Sequence, residues 1–275
     1  MTSYTLQVTD LKKHFGGVRA LDGVSFSVRS GECVALIGPN GAGKSTCFGA
    51  LAGQHRADAG RVEWGATGSA HSAQQGSLQD ITGHSAAAMN ALGIGRTFQV
   101  AQVFEALTVL QNLQLVAHVL PRFSGFLPLK NQNGHAAMAL LSTLGLQDVA
   151  NTQALLLPYG LKKRLELGIA LAGQPRLLLL DEPAAGLAEE ERHDLMQLIK
   201  SLTAPDQNLA ILYTEHNMDA VFGVADRVLV LIDGKLAAQG TPAEIATNQT
   251  VRSRYLGSTQ LGAVPVNSVQ AVTHA

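Results

Sequence analysis

Residues 32–46 read ECVALIGPNGAGKST, and the rest of the chain is best understood outward from them. CVALI (33–37) is an unbroken apolar run of strand length, as expected of a strand buried on both faces. Residues 38–45, GPNGAGKS, fit G-x-x-x-x-G-K-[ST], and 47–51 are compatible with a helix. Strand, glycine loop and helix in that order is the setting in which such a loop holds phosphate. Glycines let the backbone bend until successive N–H groups point inward at phosphate oxygens, and the helix start adds partial positive charge. The backbone of Gly38, Pro39, Asn40, Gly41, Ala42 and Gly43 is thus expected to form a cradle. Lys44 is expected to reach the β- and γ-phosphates, Ser45 to offer a hydroxyl to Mg²⁺, and Thr46 to add a donor. A plain glycine-rich turn would leave the full match in this setting unexplained.

A second apolar run, 177–180, leads directly into Asp181-Glu182-Pro183. Two carboxylates at the carboxyl end of a parallel strand sit where open α/β sheets bind ligands. Adjacent side chains point in different directions, so Asp181 is assigned to the Mg²⁺ shell and Glu182 to the γ-phosphate, positioned to accept a proton from attacking water. The alternative, two acids capping the following turn, accounts for neither as well as a bound nucleotide does.

Between and beyond these runs the patterning alternates. Residues 4–9 and 24–28 carry apolar side chains at every second position, as half-buried antiparallel strands do. Residues 65–77, GATGSAHSAQQGS, hold no charge and no periodicity and are expected to form a flexible inserted loop. Helical spacing over 108–119 and 135–144, around a Pro/Gly-containing break at 121–128, predicts a helical subdomain. A helix over 159–171, a strand over 176–180, a helix over 189–202 and a strand over 209–214 predict parallel βαβ connectivity. Strands 226–232 and 235–239 face each other across Asp233-Gly234, a two-residue hairpin signal. The tail, 257–275, has no Asp, Glu, Lys or Arg and is expected to fray. No internal repeat is present.

Composition narrows the function. The 275 residues carry 20 Lys plus Arg against 21 Asp plus Glu, a formal charge of −1, so no overall field favours duplex nucleic acid as the main ligand. Lys162-Lys163-Arg164, with Glu166 on the same helix, reads as a solvated or loop-bracing face and not a nucleic-acid patch. No apolar stretch approaches the roughly 18 residues that cross a bilayer, and MTSYTLQVTDLKK lacks the apolar block of a secretory leader. The two cysteines, Cys33 and Cys47, lack zinc or dithiol spacing and are expected to be reduced and buried, and the nine histidines form no metal-ligand motif.

At this point the residues resemble the ATP-binding cassette family, from about residue 6 to 256. The resemblance implies an α/β fold: a P-loop NTPase core with mostly parallel sheet, an N-terminal antiparallel β-subdomain and an inserted α-helical subdomain of about 100–172, within one ATPase domain of 1–256. It also implies further roles. Phe15 in KHFGGVRAL resembles the aromatic that stacks on adenine, against the alternative of an apolar core residue. Gln99 in GIGRTFQV resembles the glutamine that touches Mg²⁺ and attacking water, and His216 after AILYT-Glu215 resembles the histidine that contacts the γ-phosphate. A lone histidine after a strand is otherwise a hydrogen-bond partner. Residues 157–161, LPYGL, resemble the signature segment, with Pro158 for the usual serine and Leu161 for the usual glutamine, while Ala188 replaces the usual polar residue of the loop after Pro183. Proline suits a first helical position, so the N–H groups of Tyr159 and Gly160 at Pro158 are still expected to face an anion.

In this family two cassettes pair head to tail, each ATP lying between the phosphate loop of one and the signature segment of the other, and closure and reopening are the output. GIGRTFQ, LTVLQNL, LPYG, DEPAAGL and EHNMDAV most resemble the ATPase subunits of branched-chain amino acid importers and their urea or amide relatives. The implied partners are membrane permease subunits, a second ATPase subunit (identical or related) and, indirectly, a solute-binding protein. The implied location is peripheral, on the cytoplasmic face of the inner membrane. Segments after Gln99, including Val103 and Phe104, would transmit the motion or else fill the subdomain core. The competing readings are an export or lipid-extraction cassette, a soluble ATP-dependent clamp on DNA or ribosomes, and a module that binds ATP without turnover. Against the clamp stands the lack of a coiled-coil arm or second cassette, and against a GTPase the lack of N-K-x-D. A small-molecule kinase would leave the signature-like segment unexplained.

Overall fold

A computed structural model describes residues 3–67, 78–97, 102–119, 134–204 and 208–256. Five parallel strands and one antiparallel edge strand make the central sheet: β3 (Cys33–Ile37), β6 (Ile94–Arg96), β7 (Leu177–Asp181), β8 (Ala210–Thr214), β9 (Arg227–Ile232) and β10 (Lys235–Gly240), in the order β10-β9-β3-β8-β7-β6. Only the β9–β10 pair is antiparallel. It closes through Asp233 and Gly234, both in the left-handed region (φ 51 and 74), the backbone a two-residue hairpin turn demands. A second, antiparallel sheet is formed by β1 (Ser3–Phe15), β2 (Val18–Arg29), β4 (Ala59–Thr67) and β5 (Gln79–Asp80), ordered β2-β1-β4-β5.

The unbroken apolar runs have a direct cause. Cys33, Ala35, Ile37, Leu178, Leu180, Ile211 and Tyr213 face one core layer, while Val34, Leu36, Leu177, Leu179, Ala210 and Leu212 face the other. With both faces covered, neither set of alternate positions can be polar. The first layer is filled by α3 (Val109–Val119), α4 (Gly134–Leu144), α5 (Tyr159–Ala172), α6 (Glu189–Ser201) and α7 (Met218–Phe222). Leu113, Leu141, Leu144 and Leu165 knit the three helices α3, α4 and α5 together. The second layer is filled by α1 (Lys44–Leu51) and the inner face of the antiparallel sheet, including Leu6, Val8, Leu21 and Trp64. Short helices α2 (Ala86–Ala91) and α8 (Pro242–Thr247) complete the framework, the latter opened by a Thr241–Glu244 capping box.

Four expectations need correction. β1 and β2 run well past 4–9 and 24–28, because their pairing continues across irregularities near Thr9 and Lys12. Residues 65–67 are strand and not loop: Thr5 pairs with Gly65, Tyr4 with Ala66 and Ser3 with Thr67, so β1 supplies the partner that the small residues alone do not announce. Lys163 and Glu166 are not solvated but buried, whereas Lys162 and Arg164 brace neighbouring segments through Glu105 and the Leu144 carbonyl. Pro158 is the cap residue before α5 and not its first helical residue, which is Tyr159. Cys33 and Cys47 are free and buried, and burial pushes both thiols up to about 12. The remainder of the proposed loop (68–77), the break at 121–128, Gln99 and the tail 257–275 lie outside the described residues. No helix among the described residues is long and apolar enough to cross a membrane.

Candidate nucleotide site

The glycine loop leaves β3 and feeds α1, whose first residue is Lys44. Gly43 caps that helix with φ 100, and a Cβ there would strike the Ala20 carbonyl, so both backbone conformation and space require glycine. The loop is pinned from the far hairpin by the Gly234 N–H, which donates to the Ala42 carbonyl (3.1 Å). Lys44 is buried, and its Nζ donates to the carbonyls of Gly38 (2.6 Å) and Pro39 (3.1 Å). Burial pulls its pKa below the ordinary lysine value, and the Glu182 and Asp181 carboxylates oppose that fall. Ser45, next in the chain, is exposed.

The two carboxylates diverge at the end of β7. Asp181 pairs in register with Thr214 of β8, whose hydroxyl donates to Asp181 Oδ1 (2.7 Å) and accepts the Glu182 N–H (3.0 Å). Arg96, from the end of β6, brings Nη2 to 3.9 Å from Asp181 Oδ2. Glu182 turns away on a left-handed backbone (φ 48), a conformation that costs a residue with a Cβ about 1–3 kcal/mol and is held by its surroundings. Its Oε1 lies 2.6 Å from His216 Nε2. Behind His216, the buried Glu215 accepts the N–H groups of Ala184 (3.0 Å) and His216 (3.1 Å), tying the turn after Glu182 to the end of β8. Burial raises the Glu215 pKa above the usual carboxylate value, with these backbone N–H groups opposing the rise.

A cleft of about 210 Å³ joins the loop to these groups: Val18 and Ala20, residues 40–46, Glu182 and His216 line it. The structure therefore brings Asn40, Gly41, Ala42, Gly43, Lys44, Ser45, Thr46, Glu182 and His216 together, with Gly38 and Pro39 bonded to Lys44 and Asp181 directly behind Glu182. An ammonium, a helix N-terminus and a run of backbone N–H groups suit a polyphosphate, and the Ser45 hydroxyl and Asp181 carboxylate are the hard oxygen donors Mg²⁺ takes. Phe15 stands half exposed (46%) at the end of β1, not in the core, with the His55 ring edge-on at 5.6 Å and Lys13 Nζ 5.3 Å from its centroid. Pro158, Tyr159 and Gly160 are not among the residues lining the cleft. The Tyr159 ring lies over Gly186, and the Glu191 carboxylate approaches so closely that a Cβ on Gly160 would sit 2.7 Å from its Oε1. Val103 packs on the helical core layer, whereas Phe104 is half exposed. Three supporting residues were not anticipated from the sequence: Thr214, Arg96 and Glu215. The sole signal was position, each standing at the carboxyl end of a strand beside β7 or within one residue of it.

A glycine loop opening a helix, with paired carboxylates on a second parallel strand of the same sheet one strand removed, defines a P-loop nucleotide-binding protein. The model of the ABC transporter family matches residues 21–185, and the chain belongs to that family as an ATP-binding, ATP-hydrolysing cassette. It is 38% identical to the high-affinity branched-chain amino acid transport ATP-binding protein LivG of Salmonella typhimurium, over 94% of this chain and 99% of that one. The Escherichia coli LivG is 37% identical, and BraF of Pseudomonas aeruginosa 34%, over the same shares. Among solved structures, an ATP-binding cassette of an ABC transporter in its ADP conformation superposes with a TM-score of 0.78 at 30% identity, covering 92% of this chain and 99% of that one. A nucleotide-free cassette superposes with a TM-score of 0.76 at 30% identity, with the same coverage.

Proposed function

We propose that this chain is the ATPase subunit of an importer for branched-chain amino acids, working peripherally at the cytoplasmic face of the membrane with permease subunits, a second ATPase subunit and, through them, a solute-binding protein. The observation that carries the solute class is the identity of 34–38% to LivG and BraF proteins across 99% of their length. In this reading the backbone of residues 38–43, Lys44 and Thr46 hold the triphosphate, and Phe15 stacks on adenine. Ser45, Asp181 and Gln99 hold Mg²⁺, which supplies charge neutralisation at the β- and γ-phosphates. Glu182 accepts the proton of the attacking water, and His216, bonded to Glu182 without nucleotide, contacts the γ-phosphate when ATP is present; the 2.6 Å contact between the two side chains supports a shared role. Pro158, Tyr159 and Gly160 face the nucleotide of the second cassette through backbone N–H groups. Phe104 passes the movement of the helices after Gln99 to the permease, a role its half-exposed side chain supports.

The test is uptake by vesicles carrying the chain with permease subunits and a binding protein of the branched-chain amino acid type. ATP-dependent accumulation of leucine, isoleucine or valine is the expected result. Uptake of urea or short amides alone, or export without a binding protein, would overturn the solute class.

A further inference from the structure

Glu215 holds no nucleotide in the roles given above, yet it is a carboxylate only 4% exposed, and burial at that depth has a cost that its partners must offset. The partners are backbone donors from two separate loops. Oε1 accepts the Ala184 N–H (3.0 Å) and Oε2 accepts the His216 N–H (3.1 Å), while the Asn217 N–H favours the same ionised form. Their place in the chain gives these bonds a consequence. Glu182 stands on a left-handed backbone (φ 48) and is followed by Pro183, which has no N–H. The turn is therefore gripped at the nearest donor on either side: the Glu182 N–H by the Thr214 hydroxyl (3.0 Å) and the Ala184 N–H by Glu215. Backbone strain of this kind persists where the surroundings over-determine it. The other oxygen of Glu215 holds the backbone of His216, whose ring meets the Glu182 carboxylate at 2.6 Å. One buried side chain thus ties both members of that contact to a common point.

We propose that Glu215 is a positioning residue: it holds the Glu182–Pro183 turn and the His216 backbone in one frame, and so sets the orientation in which Glu182 meets the attacking water. The proposal rests on the role of Glu182 given above. The task calls for a carboxylate of this length. An amide has a single acceptor oxygen and would turn its NH₂ against one of the two N–H groups, and aspartate is shorter by a methylene.

The experiment measures melting temperature, kcat and KM for ATP in the assembled complex for Glu215→Gln, Glu215→Asp, Glu182→Gln and the double variant Glu182→Gln/Glu215→Gln. The positioning role predicts that kcat falls about fivefold or more in Glu215→Gln, the scale of one lost hydrogen bond, with KM within about twofold because the glycine loop still holds the triphosphate. A reduced kcat is expected in Glu215→Asp as well. Once Glu182 is replaced, the change at 215 should lower the residual turnover by less than about twofold, since residues that act as a unit are not additive. A purely structural bond predicts a shift in melting with parental kcat. Parental kcat in Glu215→Gln, a KM raised beyond that limit, or an undiminished fall in the Glu182→Gln background overturns the proposal. If Glu215→Gln does not fold, parental kcat in Glu215→Asp does so. Parental turnover in Glu182→Gln would remove the assignment of Glu182 itself, a failure distinct from that of Glu215.

Discussion

Thr214 ties the Asp181 carboxylate to the Glu182 backbone through a single hydroxyl, donating to Asp181 Oδ1 and accepting the Glu182 N–H, so a strand beside β7 fixes the chain at the point where the two acids diverge. The sequence announced Lys44, Asp181 and Glu182 because each sits in a pattern with its own chemistry. It was silent on Thr214 and Glu215, whose roles exist only once β7 and β8 lie side by side. Glu215 carries a prediction of sign. Its folded pKa is raised above 4.5, so the folded state holds the proton more tightly than the unfolded chain. The stability this contributes is complete below the unfolded pKa and is lost as pH rises through the folded one. The melting temperature of the parent minus that of Glu215→Gln should therefore be largest in acid, fall as pH is raised from about 4.5 through the folded-state titration, and level off above it. A difference that stays flat with pH would contradict the assignment.

Elements divided by the same logic. Strands β3, β7, β8 and β9 were plain in the sequence because burial on both faces forces an apolar run, and α5 and α6 because helical spacing marks a half-buried face. Strand β6 escaped: its three residues, Ile94–Arg96, include a glycine and owe their conformation to pairing with β7. The end of β4 escaped for a similar reason, since small residues became strand only beside β1. At the start of α5, Pro158 offers no side-chain cap, so any anion there must be met by the N–H groups of the first turn. Restoring the hydroxyl with Pro158→Ser adds at most one such donor, and ATP turnover of the complex is predicted to change by less than about tenfold, the scale of one hydrogen bond. A hundredfold rise would show that the signature segment of this chain is crippled.

At the scale of the molecule, the start of β2, the glycine loop with the start of α1, and the residues that follow β7 and β8 meet in the cleft that Lys44, Glu182 and His216 line. The class of fold was readable because the loop, the carboxylate pair and the order of strands constrain one another. The handoff from nucleotide to transporter was not readable, because it depends on partners whose surfaces this chain does not encode. The central claim is that a triphosphate held by residues 38–46 is cleaved with Glu182 as proton acceptor. Glu182→Gln in the assembled complex, incubated with Mg-ATP and then stripped of free nucleotide, tests it most directly. The prediction is that ATP is retained uncleaved and that turnover falls by about a hundredfold or more, the scale of losing a general base. Parental turnover in Glu182→Gln, with ADP as the retained nucleotide, would contradict it.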